Sequence, residues 1–120
     1  MANEIQVTAN LQASKSGAAI QSQGNFTRDM AGSQMVQNTQ SIPTAWTLLV
    51  FGNLAGTPAK ALIRNLDTTN YVELAEDNAG AHKQDKLLPN GDFVVRSPVG
   101  AIYAKANGAA CILQFAAMDA

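Results

Sequence analysis

The stretch Ile5-Gln6-Val7-Thr8-Ala9-Asn10-Leu11-Gln12-Ala13-Ser14 alternates apolar and polar side chains without a break. Successive side chains of a strand point to opposite faces, so a period of two predicts an extended segment with one buried and one wet face. Lys15-Ser16-Gly17 interrupts the pattern. A second strand is expected over 18–27, anchored by Ile20 and Phe26, with Gly24 as a bulge position. Met30-Ala31-Gly32-Ser33 reads as a loop, and 35–41 as a weak strand rich in Gln and Asn.

Further along, Ile42-Pro43-Thr44 is a break, because proline cannot donate to a strand ladder. Residues 46–51 are nearly all apolar and read as a strand buried on both faces, followed by a turn-rich loop over 52–58. Strands over 59–64 and 71–74 flank Asn65-Leu66-Asp67-Thr68-Thr69-Asn70, and they read as a hairpin because Asp and Asn support turns by bonding their own backbone. The polar stretch 76–86 reads as an exposed loop. Pro89-Asn90-Gly91 predicts a tight turn, with strand 93–96 after it and another turn over 97–100. Strands over 102–106 and 110–115 meet around Asn107-Gly108, the dipeptide favoured in two-residue hairpins.

No segment sustains a helical period. About eight short strands separated by Gly, Pro and Asn turns predict an all-β fold, a single antiparallel β-sandwich or jelly-roll-like barrel spanning 1–120. Parallel βαβ units are excluded, since their strands are buried on both faces and separated by helices. The N-terminal strand, residues 1–15, is the segment placed to exchange with a partner or to add to its sheet edge.

Composition narrows the function classes. The chain has 120 residues, enough for one modest core, and 27 of them are Leu, Ile, Val or Phe, which separates it from disordered chains. A net charge of -1 gives nucleic acid or a membrane surface no basic patch to bind. Charged residues make up 14%, against roughly 25% in ordinary soluble domains. Residues 1–57 carry only Glu4, Lys15, Arg28 and Asp29, and nothing between Asp29 and Lys60 is charged. Interface cores are depleted in charge, so this half suits a surface covered by partner chains. The start Met1-Ala2-Asn3-Glu4 lacks the basic and apolar regions of a signal peptide, and no apolar run reaches the ~18 residues of a membrane helix.

The residues of catalysis are sparse. His82 is the single histidine and lies in a polar stretch. Cys111, the single cysteine, sits within Ala110-Cys111-Ile112-Leu113 and reads as a buried, inert thiol. One cysteine and one histidine make no zinc site, and Glu76-Asp77-Asn78 lacks the spaced ligands of a calcium loop. No glycine-rich phosphate loop occurs. The sequence therefore predicts no catalytic residue, no metal and no cofactor, and so no enzyme. Trp46, Tyr71, Phe93 and Tyr103 are candidates for a sugar-stacking platform, but nothing places them on one exposed face and core and rim positions of a sandwich account for them better.

Several stretches resemble a family of small virion proteins of tailed bacteriophages. The likeness runs from Gln40-Ser41-Ile42-Pro43-Thr44-Ala45-Trp46-Thr47-Leu48 through Ile63-Arg64-Asn65-Leu66-Asp67-Thr68-Thr69-Asn70-Tyr71-Val72-Glu73-Leu74 and Leu88-Pro89-Asn90-Gly91-Asp92-Phe93 to Ala101-Ile102-Tyr103-Ala104-Lys105-Ala106. Pro43 departs from the pattern, standing where a glycine is expected. The resemblance implies a structural role as a capsid decoration or cement protein, commonly a homotrimer, with the major capsid protein as partner. It places the protein on the virion surface after synthesis in the host bacterial cytoplasm. Gln34, Met35 and Gln37 are the candidate partner-binding residues. The alternatives are a receptor- or carbohydrate-binding module, or a neck or tail-completion protein of the particle.

Overall fold

The computed structural model describes residues 5–29, 35–51, 54, 58, 60–98 and 100–118. The loop expected at 30–33 and most of that at 52–58 lie outside them. All regular structure among the described residues is β, and the chain divides into two compact units, Met1–Ala31 and Gly32–Ala120.

The first unit is a hairpin of β1 (Ile5–Lys15) and β2 (Ala18–Arg28). Ser16 and Gly17 form its turn with φ of 53° and 86°. Two left-handed residues twist a two-residue loop in the sense the flanking strands require. That turn sets the register, which runs unbroken from Lys15 opposite Ala18 to Ile5 opposite Arg28. Gly24 pairs in step with Ala9, so the expected bulge is absent: the strands carry equal numbers of residues from the turn outward.

The second unit holds eight strands. They are β3 (Met35–Ile42), β4 (Thr47–Leu48), β5 (Lys60–Asn65), β6 (Val72–Ala75), β7 (Lys83–Leu87), β8 (Phe93–Arg96), β9 (Tyr103–Ala106) and β10 (Cys111–Met118). One sheet has the order β3-β10-β5-β8 and the other β4-β9-β6-β7, with every pairing antiparallel. This is the strand order of a jelly roll. Its core draws on both sheets: Ile42, Ile63, Leu113 and Phe115 from the first, Val72, Leu74, Leu87 and Ala104 from the second. Phe51 meets Phe115 edge-on at 5.3 Å between ring centroids.

Four local expectations change. Neither 59–74 nor 102–115 is a hairpin, because β5 and β6 lie in different sheets, as do β9 and β10. Their turns carry the chain across the sandwich, and they meet each other: Asn107 donates its N–H to the Tyr71 carbonyl at 3.0 Å. Part of the polar stretch 76–86 is strand β7, which pairs with β6 as the outermost strand of its sheet, where alternate positions face water and few apolar anchors are needed. The segment 46–51 is not buried on both faces. Leu49 is buried while Leu48 and Val50 are exposed, because β4 lies at a sheet edge with a single core-facing side.

A buried amide ties these crossings together. Asn65, at the end of β5, is fully buried. Its Nδ2 donates toward the carbonyls of Asn70, Leu87 and Leu88 at 3.0, 3.1 and 3.3 Å, and its Oδ1 accepts the Asp67 N–H at 3.0 Å. Its backbone N–H bonds the Asp92 carbonyl, and its carbonyl accepts from Gly91. The Asp67 carboxylate accepts from the amides of Asn70 and Thr69, at 2.6 and 2.9 Å. The Asp92 carboxylate accepts from Leu88 and Phe93, both at 2.9 Å.

Removing a partner from buried groups strands the others without water. Asn65→Ala is expected to lower the unfolding free energy by about 2–4 kcal/mol. Asn65→Asp is expected to cost more, since a carboxylate has no proton to give three carbonyls. Urea unfolding measures both, and an Asp variant as stable as wild type would show that the amide donors are dispensable.

The amides of Asn70 and Thr69 hold the Asp67 carboxyl below its ordinary pKa, the Asn70 bond contributing most. A depressed folded pKa stabilises the fold above the unfolded-state value, and that contribution disappears as pH falls through the folded value. The melting-temperature gap between wild type and Asp67→Ala should be full at neutral pH and close in acid. A gap that stays constant to low pH would assign it to something other than the carboxylate's charge.

Candidate binding surface

The two sheets turn chemically different faces outward. In β10, Cys111, Leu113, Phe115 and Ala117 are buried, so Ile112, Gln114, Ala116 and Met118 point away from the core. The ladder registers extend this outer face sideways. Met118 is flanked by Met35 and Lys60, Ala116 by Gln37 and Leu62, and Gln114 by Thr39 and Arg64. On β8, Val95 continues the row from Leu62 and Phe93 the row from Arg64. Met35 is 67% exposed, Phe93 52%, Ile112 43% and Leu62 37%. The two cations on this face are engaged within it: Arg64 Nε donates to the Gly91 carbonyl at 3.1 Å, and Lys60 Nζ to Ser97 Oγ at 2.6 Å.

The outer face of the second sheet is charged. Lys86, Glu73 and Lys105 form one cross-strand row, and Lys83 Nζ lies 3.3 Å from the Glu73 carboxylate. Lys105 also sits over the Trp46 ring at 5.9 Å, and Lys86 over Tyr71 at 4.2 Å. Rows of alternating sign are the ordinary dress of a solvated face. Where the edge strands β7 and β8 approach, Arg96 Nη1 bonds Asp85 Oδ2 at 2.7 Å, joining the two sheets.

Of the three residues expected to bind a partner, Met35 and Gln37 lie on the apolar outer face, two positions apart on β3. Gln34 is outside the described residues. Leu62, Phe93, Val95, Ile112, Ala116 and Met118 belong to the same face and were not singled out from the sequence. The available signal was the lack of charge at the outward positions of 111–118, which becomes readable only once the inward set is known.

Of the four aromatic residues weighed as a sugar platform, Phe93 is on the apolar outer face of one sheet, while Trp46 and Tyr71 lie under the lysines of the other, where Tyr103 shares the side of Lys105 on β9. The edge of Trp46 also lies so near Gly80, whose φ is +73°, that a Cβ there would stand 2.5 Å from the ring. Burial pushes the Cys111 thiol up, the Asp67 carboxylate adding to it, which disfavours the thiolate. His82 is exposed, with Nδ1 3.8 Å from the Asp77 carboxylate. Asp77 is held below its ordinary pKa, chiefly by accepting the His82 backbone N–H. Among the described residues no group of three His, Cys, Asp or Glu side chains is placed to hold a metal.

Comparison with protein-family models, with curated proteins and with solved structures finds no match to this chain.

Proposed function

We propose that this protein is a structural component of a bacteriophage particle: a decoration protein that binds the outside of the capsid as a homotrimer, with the major capsid protein as its partner. The observation that carries this reading is the division of the jelly roll into one charged outer face and one outer face rich in exposed apolar residues, whose cations Lys60 and Arg64 bond within it. Contiguous exposed apolar surface marks an interaction site. An interface core is depleted in charge and enriched in Met and aromatic residues, which is the composition of the face bearing Met35, Met118, Leu62 and Phe93. The charged face of Lys86, Glu73 and Lys105 is suited to solvent on the outside of a shell.

A packaged genome strains the shell from within. A protein bridging neighbouring capsid subunits opposes that strain by burying area across their seam, and a standard interface of roughly 1,600 Å² holds it in place. Jelly rolls recur in viral capsid and lectin domains, an analogy of fold that by itself assigns no function.

Mixing the protein with expanded, undecorated capsids of the cognate phage and sedimenting them tests the reading. Saturable co-sedimentation and a raised shell melting temperature are expected. Leu62→Glu should weaken binding at least tenfold while circular dichroism stays native, since central apolar anchors dominate interface energies. Glu73→Gln on the charged face should bind as wild type. Protein that stays in the supernatant would overturn the reading.

A further inference from the structure

Directly opposed residues of an antiparallel pair share a face. The β1–β2 register therefore puts Val7 with Phe26, Ala9 with Gly24, Leu11 with Ser22 and Ala13 with Ile20 on one side, continued at its two ends by Ile5 with Arg28 and Lys15 with Ala18. The other side carries Gln6 with Thr27, Thr8 with Asn25, Asn10 with Gln23 and Gln12 with Gln21. Ile5, at the open end of the apolar side, is buried at 2% exposed, but the rest of that side is wet, with Leu11 66%, Ile20 64% and Phe26 40% exposed. Strands of this length run roughly 37 Å and a pair is about 10 Å wide. A two-stranded hairpin of that kind is marginal in water and needs a cover.

Its edges narrow the choice of cover. Among the described residues no third strand pairs with either β1 or β2. Protein edges are ordinarily blunted by proline, bulges, short length or charge. These two strands are eleven residues each, in unbroken register, without proline, and their only charges are Lys15 and Arg28 at the ends. A further β-strand is the occupant that bonds such an edge throughout its length.

We infer that this hairpin joins the same hairpin of two further copies of the chain in a closed, six-stranded antiparallel barrel, apolar inside and neutral-polar outside, which holds the homotrimer together. Rotating copies about an axis along the strands brings β1 of one beside β2 of the next, running antiparallel, and closure leaves no edge. Two copies supply too few strands to close around side chains. About eight strands give an interior just filled by side chains, so six demand smaller ones. Five of the twelve residues on the apolar face meet that demand: Ala9, Ala13, Ala18, Ser22 and Gly24. Gly24 has open space where a Cβ would stand, room into which a neighbouring copy's Leu11 fits. The outward Gln, Asn and Thr side chains bring no charge repulsion between copies. The inference rests on the homotrimeric part of the proposed function and is independent of its capsid part.

Light scattering of the full chain tests it. Wild type should show three times the 12.6 kDa chain mass. Leu11→Asp should lower the mass threefold while the sandwich keeps its melting temperature, and Gln12→Asp, on the polar side, should remain trimeric. Hydrogen exchange supplies a readout that needs no variant: in wild type, the edge-facing amides of β1 and β2 should exchange at least tenfold more slowly than unstructured amides. A wild-type monomer or dimer, an unchanged trimer for Leu11→Asp, dissociation by Gln12→Asp, or edge amides exchanging at the unstructured rate would each overturn it. A trimer that ignores capsids would sink the capsid reading alone; a monomer that binds them would sink the barrel and the homotrimer and leave the capsid reading standing.

Discussion

The jelly roll is organised around one buried amide. Asn65 ends β5 at the point where the chain leaves one sheet for the other, and its Nδ2 reaches the carbonyls of Leu87 and Leu88, where the chain leaves β7 for β8. Both crossings would otherwise leave backbone carbonyls buried without partners, at a cost of about 1–3 kcal/mol each. The amide satisfies them at once. Asp67 and Asp92 then fold the two loops onto their own amides, and Asn90 and Gly91, with φ of 72° and 90°, let the second loop turn tightly enough to reach Asn65.

From that anchor the remaining constraints follow. With both crossings pinned, β5 and β6 must lie in opposite sheets, and their inward residues Ile63, Val72 and Leu74 close on the same core as Leu113 and Phe115. The outward residues of each sheet are then free to differ. One sheet spends them on Lys86, Glu73 and Lys105, the other on Leu62, Ala116 and Met118. The Arg96–Asp85 pair, with Arg96 only 15% exposed, holds the two sheets together where their edge strands meet. A core this closed needs nothing outside it, so the apolar residues left on one outer face are available for a partner.

The hairpin of β1 and β2 follows a different logic. Its register comes from a two-residue turn and its faces from strict alternation, so its local structure is complete within 24 residues, Ile5 to Arg28. Without a core of its own, it presents an apolar side and two open edges. The sandwich is stabilised by what it buries internally, while most of the hairpin's apolar side stays exposed.

The sequence by itself determined most of the strand segments, though not β7, which side of most of them is apolar, and where the chain must turn. The alternation in 5–14, the Pro89-Asn90-Gly91 turn and the buried setting of Cys111 were all legible, because each depends on neighbours in the chain. The aspartate and asparagine turns were visible too, but not their destinations: Asn65–Asn70 and Asn107-Gly108 look like hairpins and instead cross between sheets. Turn chemistry reverses the chain without stating which ladder the next strand joins. That choice belongs to the core, where contacts join β3 to β10 and β5 to β8 across long stretches of sequence. For the same reason the apolar outer face, assembled from four strands, was represented among the residues singled out from the sequence only by Met35 and Gln37. The strand order sets the other residues side by side, and only the packing of both sheets onto one core decides that order.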